Sequence, residues 1–264
     1  MILLHLAVAA LYAAAAWVRW PRAGVAVPTW FGGGVVPVAL ALHAVAVIRT
    51  IVAPEGLDFA FVNALSLVAG LSVLFAVTSG LLRKLPNVGA VVLPVAAACA
   101  LAPAFGSQPH PVSYAGEPWA LAHISVALCA YALFVVAALQ ALVLTGLERR
   151  LHRGQQAEAG DATPPLLTLE RYLFRLVGLG FVLLSATLAS GFLFSEHLFG
   201  RPVTFTHKNL FSVLGWLAFA ILLIGRLRYG WRGRQALHWI VGGTLLLVLG
   251  YLGSKFVSEI LLGR

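Results

Sequence analysis

Residues 119–147, WALAHISVALCAYALFVVAALQALVLTGL, run for 29 positions without an Asp, Glu, Lys or Arg. A helix rises about 1.5 Å per residue, so about 20 such residues cross a hydrocarbon core of about 30 Å. Similar runs stand on both sides: Ile2 to Val18, Gly33 to Ala53, Phe59 to Leu82 and Asn87 to Phe105 before it, and Tyr172 to Ser195, Asn209 to Leu227 and Ala236 to Leu262 after it. Across 264 residues the chain is 61% hydrophobic and 10% charged, with a mean hydropathy of +0.93. That leaves too little polar surface for a globule in water.

The expected fold is therefore an all-α polytopic membrane protein with about eight transmembrane helices in a single membrane domain, 1–264. Five helices occupy 1–147, a cytoplasmic linker 148–171, and three helices 172–264. The linker is marked by Gly154, Gln155, Gln156, Gly160, Asp161, Pro164 and Pro165, residues that favour flexible connections. The apolar runs show no two-residue alternation, which argues against an outer-membrane barrel. Helices also satisfy every backbone group within one segment, as lipid requires.

Basic residues set the expected orientation, because cytoplasmic loops accumulate Lys and Arg. Arg19, Arg22, Arg83, Lys84, Arg149, Arg150, Arg153, Arg171, Arg175, Arg226, Arg228, Arg232 and Arg234 fall on one side; Arg49, Arg201, Lys208, Lys255 and Arg264 fall on the other. Thirteen against five puts the N-terminus and the C-terminus outside. The first apolar run has no positive charge before it and Arg19 and Arg22 after it, so it is expected to be a retained helix rather than a signal peptide. The net charge of +9 is accounted for by orientation and anionic lipid, and no nucleic-acid partner is expected. Cys99 and Cys129 lie in apolar runs without a C-x-x-C or haem-attachment pattern and read as small buried hydrophobes.

Eight histidines carry the functional signal, since polar groups at membrane depth are costly unless they pair or serve a function. Six of them, His5, His43, His110, His123, His197 and His207, fall at or outside the midplane; only His152 and His238 fall inside. A neutral imidazole ligates haem iron, binds other transition metals, or carries protons near neutral pH. For His5, His110 and His197 the expected role is hydrogen bonding in helix or loop packing. His43, His123 and His207 are the candidate ligands. No H-x-x-x-H, H-E-x-x-H or carboxylate cluster accompanies them, which disfavours zinc hydrolysis. Arg49, Arg201 and Lys208 are cations on the same side and suit carboxylate partners such as haem propionates, although Arg49 and Arg201 also have the length to snorkel to headgroups. Trp216, deep in the seventh run, is placed to wall a pocket.

Leu121-Ala122-His123-Ile124-Ser125 through Tyr131, then Thr206-His207-Lys208-Asn209 through Trp216 to Gly225-Arg226, resembles the cytochrome c assembly membrane proteins of the haem-handling type. The ending Tyr251-Leu252-Gly253-Ser254-Lys255-Phe256 is similar to a bacterial inner-membrane branch of that family. The resemblance covers the C-terminal half well and the first four helices in layout only. It implies that His123 corresponds to the outer histidine that opens a helix in the full haem-handling members. The loop before the seventh helix matches in position, but it reads Val203-Thr204-Phe205-Thr206-His207-Lys208 and lacks the family's tryptophans and acidic residue. Ile224 stands where a further histidine is expected, and none follows the last helix between Glu259 and Arg264. These departures narrow the expectation from haem export and ligation to haem holding.

The expectation is thus a bacterial inner-membrane protein that binds or handles haem at its outer face, as a carrier or assembly factor rather than a catalyst. His123 and His207 are the axial ligands, with His43 as a third candidate. Phe205 and Trp216 line the site, Arg201 or Lys208 meets the propionates, and the expected partners are lipid, haem and another membrane or tetrapyrrole-pathway protein. The rival reading is a cofactor-free regulator or scaffold for tetrapyrrole synthesis or another membrane complex, contacting its partner through Glu148 to Arg171. Ion or metabolite transport is disfavoured by the near absence of acidic residues from helix middles.

Overall fold

The computed structural model describes residues 1–19, 29–53, 56–80, 86–105, 111–112, 117–152, 166–199 and 207–257; among these, the side chains of 29–33, 53, 86–87, 111–112, 150–152 and 194–199 are left undescribed. The chain is all-α. In order come α1 (Ile2–Val18), α2 (Thr29–Ile51), α3 (Phe61–Thr78), α4 (Pro86–Leu101) with a 3₁₀ turn at Ala102–Phe105, α5 (Pro118–His152), α6 (Leu166–Phe199), α7 (His207–Tyr229) and α8 (Gly233–Val248), which continues as a π-helical turn at Leu249–Gly253. Seven of the eight are long and apolar enough to cross a membrane; α1, at 17 residues, is apolar but shorter. Large side chains such as Leu6, Ile48, Leu142, Val182 and Ile224 point outward. Water would penalise that exposure and lipid does not.

The helix ends differ from the apolar runs in both directions: α3, Phe61–Thr78, falls short of the run Phe59 to Leu82, whereas the two longest helices outrun theirs. The fifth continues past Leu147 to His152, and the sixth begins at Leu166 rather than Tyr172. Glu, Arg and Leu are good helix formers, so Glu148 to His152 and Leu166 to Arg171 prolong the rods beyond the lipid edge. Apolarity marks where hydrocarbon stops, and propensity decides where the helix stops.

The chain forms two compact units, Met1–Pro118 with Lys255–Arg264, and Trp119–Ser254. In the first, α1 packs on α2 and α4, and α3 packs on both of those. Short strands β1 (Val52–Ala53), β2 (Gly56–Asp58) and β3 (Pro111–Val112) make a small antiparallel sheet, pairing Val52 with Leu57 and Leu57 with Val112. The Asp58 carboxylate accepts from the Ala60 N–H at 2.8 Å and leads the chain into α3. Lys255 donates to the Phe59 carbonyl, and Phe256 meets Phe61 edge to face.

The second unit holds α5 to α8. Phe134 of α5 stacks on Phe219 of α7 with centroids 3.8 Å apart, and Thr244 of α8 donates to Ile240 O and approaches Phe134 O. Close approach needs small residues where helices cross: a Cβ at Gly215 would fall 2.6 Å from Leu247 Cδ2, and one at Gly180 would fall 3.0 Å from the Phe134 ring. The α7–α8 connection turns on Gly230 and Gly233, both at positive φ, where L side chains are strained. Buried Glu170 lies 3.8 Å from Arg226 and 3.9 Å from Arg232, so its carboxylate is paired at an end of the unit that stays net positive.

Candidate functional site

His5 and His43 lie in the first unit, each 1% exposed. His5 Nδ1 donates to the Ala100 carbonyl at 2.8 Å. That carbonyl ends α4, and Pro103, three residues on, has no N–H to offer it as the chain tightens into the 3₁₀ turn. His43 has both nitrogens engaged: Nδ1 with the Tyr12 hydroxyl at 3.2 Å and Nε2 with Ser66 Oγ at 2.9 Å. Its ring also stands edge to face with Tyr12 and lies over Gly70, where a Cβ would come within 3.2 Å. His43 thereby links α1, α2 and α3. Any ligand there would have to replace one of those two hydrogen bonds.

His123 is differently placed. It sits on the second turn of α5, half-buried, and its Nδ1 lies 2.8 Å from Ser190 Oγ near the end of α6. Its Nε2 has no hydrogen-bond partner among the described residues. The neighbouring α6 residue is Gly191, whose missing Cβ would stand 3.4 Å from His123 Cε1. Lys208, on the first turn of α7, is within Coulombic range of His123, and its ammonium lies 5.0 Å from the centre of the Tyr251 ring. Tyr251 in turn meets Tyr131, the rings 5.7 Å apart, and Ser212 donates to Lys208 O at 2.9 Å. His207 opens α7 with its side chain exposed.

The start of α5, the end of α6, the start of α7 and the π-helical end of α8 therefore share one end of the second unit. The Glu170, Arg226 and Arg232 cluster marks the opposite end. This follows from antiparallel helices joined by short connections. A histidine, a lysine and two tyrosines gather where basic residues are otherwise sparse.

Not every expected site residue joins them. Trp216 donates its indole N–H to Ser185 Oγ at 2.8 Å and stacks on Phe181 at 5.4 Å. Ser185 and Ser190 are five residues apart on α6, roughly 140° around the helix, so Trp216 and His123 address different faces of it. Arg201 and Phe205 lie outside the described residues. Ser190 was not among the expected site residues. A serine in an apolar helix gives little signal by itself, and the one available cue was the Ser185, Thr187, Ser190 series in an otherwise apolar run. Among the described residues no three His, Cys, Asp or Glu side chains converge as a metal-ion site.

The family described as Cytochrome C assembly protein matches residues 35–262. The chain is 30% identical over 230 residues to the inner membrane protein YpjD of Escherichia coli strain K12, covering 85% of each chain. It is 33% identical over 199 residues to an uncharacterized 28.8 kDa protein of Azospirillum brasilense, covering 74% of this chain and 73% of that one. It is 27% identical over 215 residues to the cytochrome c biogenesis protein CcsA of Thermosynechococcus vestitus, covering 66% of this chain and 67% of that one. No solved structure matches it. With a match spanning most of its length and seven helices fit to cross a bilayer, the chain belongs to the cytochrome c assembly family as a multi-pass inner membrane protein.

Proposed function

We propose that this protein holds haem at the outer face of the inner membrane, as a carrier or assembly factor in cytochrome c biogenesis, with both termini on that side. Family membership supports the haem-handling role, and the lopsided distribution of Lys and Arg supports the orientation. The observation that carries the site is His123, a half-buried imidazole anchored through Nδ1 and presenting Nε2 without a protein partner among the described residues.

These residues fit haem by their chemistry. An imidazole nitrogen with no competing hydrogen bond is available as an axial ligand, and a nearby ammonium complements a propionate. His123 would ligate the iron and Lys208 would meet a propionate. Exposed His207, next to Lys208 in the chain, would supply the second imidazole, and Arg201 and Phe205 would complete the loop side. Haem bound there would be cargo or cofactor, and the protein's part would be to bind, orient and shield it.

Absorbance of the detergent-purified protein, before and after haem addition, tests this reading. Wild type is expected to give a Soret band that His123→Ala abolishes and His207→Ala weakens or shifts. A wild-type protein with no Soret band even after reconstitution would overturn the haem reading and favour a cofactor-free scaffold.

A further inference from the structure

We infer that Ser190 is the positioning residue of this site: it fixes the tautomer of His123 so that Nε2, and not Nδ1, carries the free lone pair. The inference rests on His123 being the ligand, but its physical content stands without haem.

Ser190 Oγ makes two contacts, 2.8 Å to His123 Nδ1 and 3.0 Å to the Thr187 carbonyl one turn back. The hydroxyl has one proton. A carbonyl only accepts, so the hydroxyl proton goes to Thr187 O, the backbone bond that serines in helices commonly make. The serine oxygen then accepts from His123, and Nδ1 must bear the hydrogen. The reverse assignment would spend the proton on His123 and leave two oxygen lone pairs facing each other at 3.0 Å. The chain of donors therefore runs from His123 Nδ1–H to Ser190 O–H to Thr187 C=O. In a neutral imidazole the remaining nitrogen, Nε2, is then a bare acceptor.

An isolated histidine side chain prefers the opposite tautomer, with the hydrogen on Nε2, which cannot ligate until that hydrogen leaves. Ser190 removes this obstacle and also fixes the ring's rotation about its Cβ–Cγ bond. Second partners of ligating histidines elsewhere raise metal affinity by about 10- to 100-fold through the same two effects. A Cβ at Gly191 would stand at ordinary contact distance from Cε1, 3.4 Å, so this glycine takes no part in setting the tautomer.

The test is nitrogen-15 NMR of the full-length protein labelled in its histidine rings, in detergent, without haem, at about pH 8, above the ordinary imidazole range. The His123 signals are assigned by their loss in His123→Ala. The wild type is expected to show Nδ1 protonated and Nε2 bare, and Ser190→Thr, which keeps the hydroxyl, to show the same. Ser190→Ala is expected to shift the population towards Nε2–H and to weaken haem binding about 10-fold or more. Gly191→Ala, which adds a methyl at ordinary contact distance, is expected to leave the tautomer unchanged. A wild-type spectrum with Nε2 protonated would overturn the inference even if Ser190→Ala does not fold, and so would an unchanged tautomer in Ser190→Ala. The expected tautomer in a protein that binds no haem would sink the haem reading and leave the role of Ser190 standing; haem binding with the opposite tautomer would do the reverse.

Discussion

His43 in the first unit and His123 in the second are the same side chain on two apolar helices, and the protein around them treats them in opposite ways. His43 is fully enclosed, with Tyr12 on one nitrogen and Ser66 on the other. His123 has one nitrogen tied to Ser190, while the other has no hydrogen-bond partner among the described residues. Lipid cannot hydrogen-bond an imidazole, so each nitrogen must find a protein partner, water or a ligand. Where the protein supplies both partners, the residue holds helices together; where it supplies one, the remaining nitrogen is the atom we propose as the ligand to haem iron.

The largest expected effect separates the two by stability. His43→Ala removes two buried hydrogen bonds, leaves Tyr12 and Ser66 without their partner, and opens a cavity. Together these should cost about 3 kcal/mol, read as a lowered unfolding midpoint in detergent. His43→Ala matching wild type in that assay would show that the ring is not holding α1, α2 and α3 together.

On the other side, His123→Ala should cost about 1 kcal/mol or less in the same assay, because it loses one half-buried hydrogen bond, yet it should reduce haem binding to background. A collapse of stability with this variant would make His123 a packing residue like His43.

Two smaller effects sharpen the contrast. Ser66→Ala should cost about 1 to 1.5 kcal/mol, leaving a buried His43 nitrogen without its partner. Gly70→Ala brings a Cβ to 3.2 Å from the His43 ring, and a ring held on both sides has little room to give, so about 1 kcal/mol is expected. The matching change in the second unit, Gly191→Ala, meets His123 at 3.4 Å and should be close to neutral. Equal losses from the two glycine variants would erase the distinction between a clamped ring and a clear one.

Much of the fold was legible in the sequence, and the reason is physical. Lipid demands long uninterrupted apolar helices, so hydropathy located the helices. It missed their ends, because Glu148 to His152 extend α5 by propensity after the hydrocarbon stops. The two units were not legible, since they depend on α1 meeting α4, as His5 meets the Ala100 carbonyl 95 positions away. The site was half legible. A histidine one turn inside a helix beside a sparsely charged loop stood out at His123, and the neighbourhood of Lys208 and Tyr251 follows from the antiparallel order of α5 to α8. Ser190 and the Tyr12–His43–Ser66 linkage were hidden, because a hydroxyl in an apolar helix has the same appearance whether it bonds its own backbone or a side chain 67 positions away.

The most direct test of the division between the two histidines is a crossed experiment. Thermal unfolding and haem titration are measured on the same detergent preparations of wild type, His43→Ala and His123→Ala. The expected result is that His43→Ala unfolds at markedly lower temperature while its folded fraction still gives a Soret band, and that His123→Ala unfolds close to wild type while giving none. Haem binding retained in His123→Ala and lost in a folded His43→Ala would contradict it.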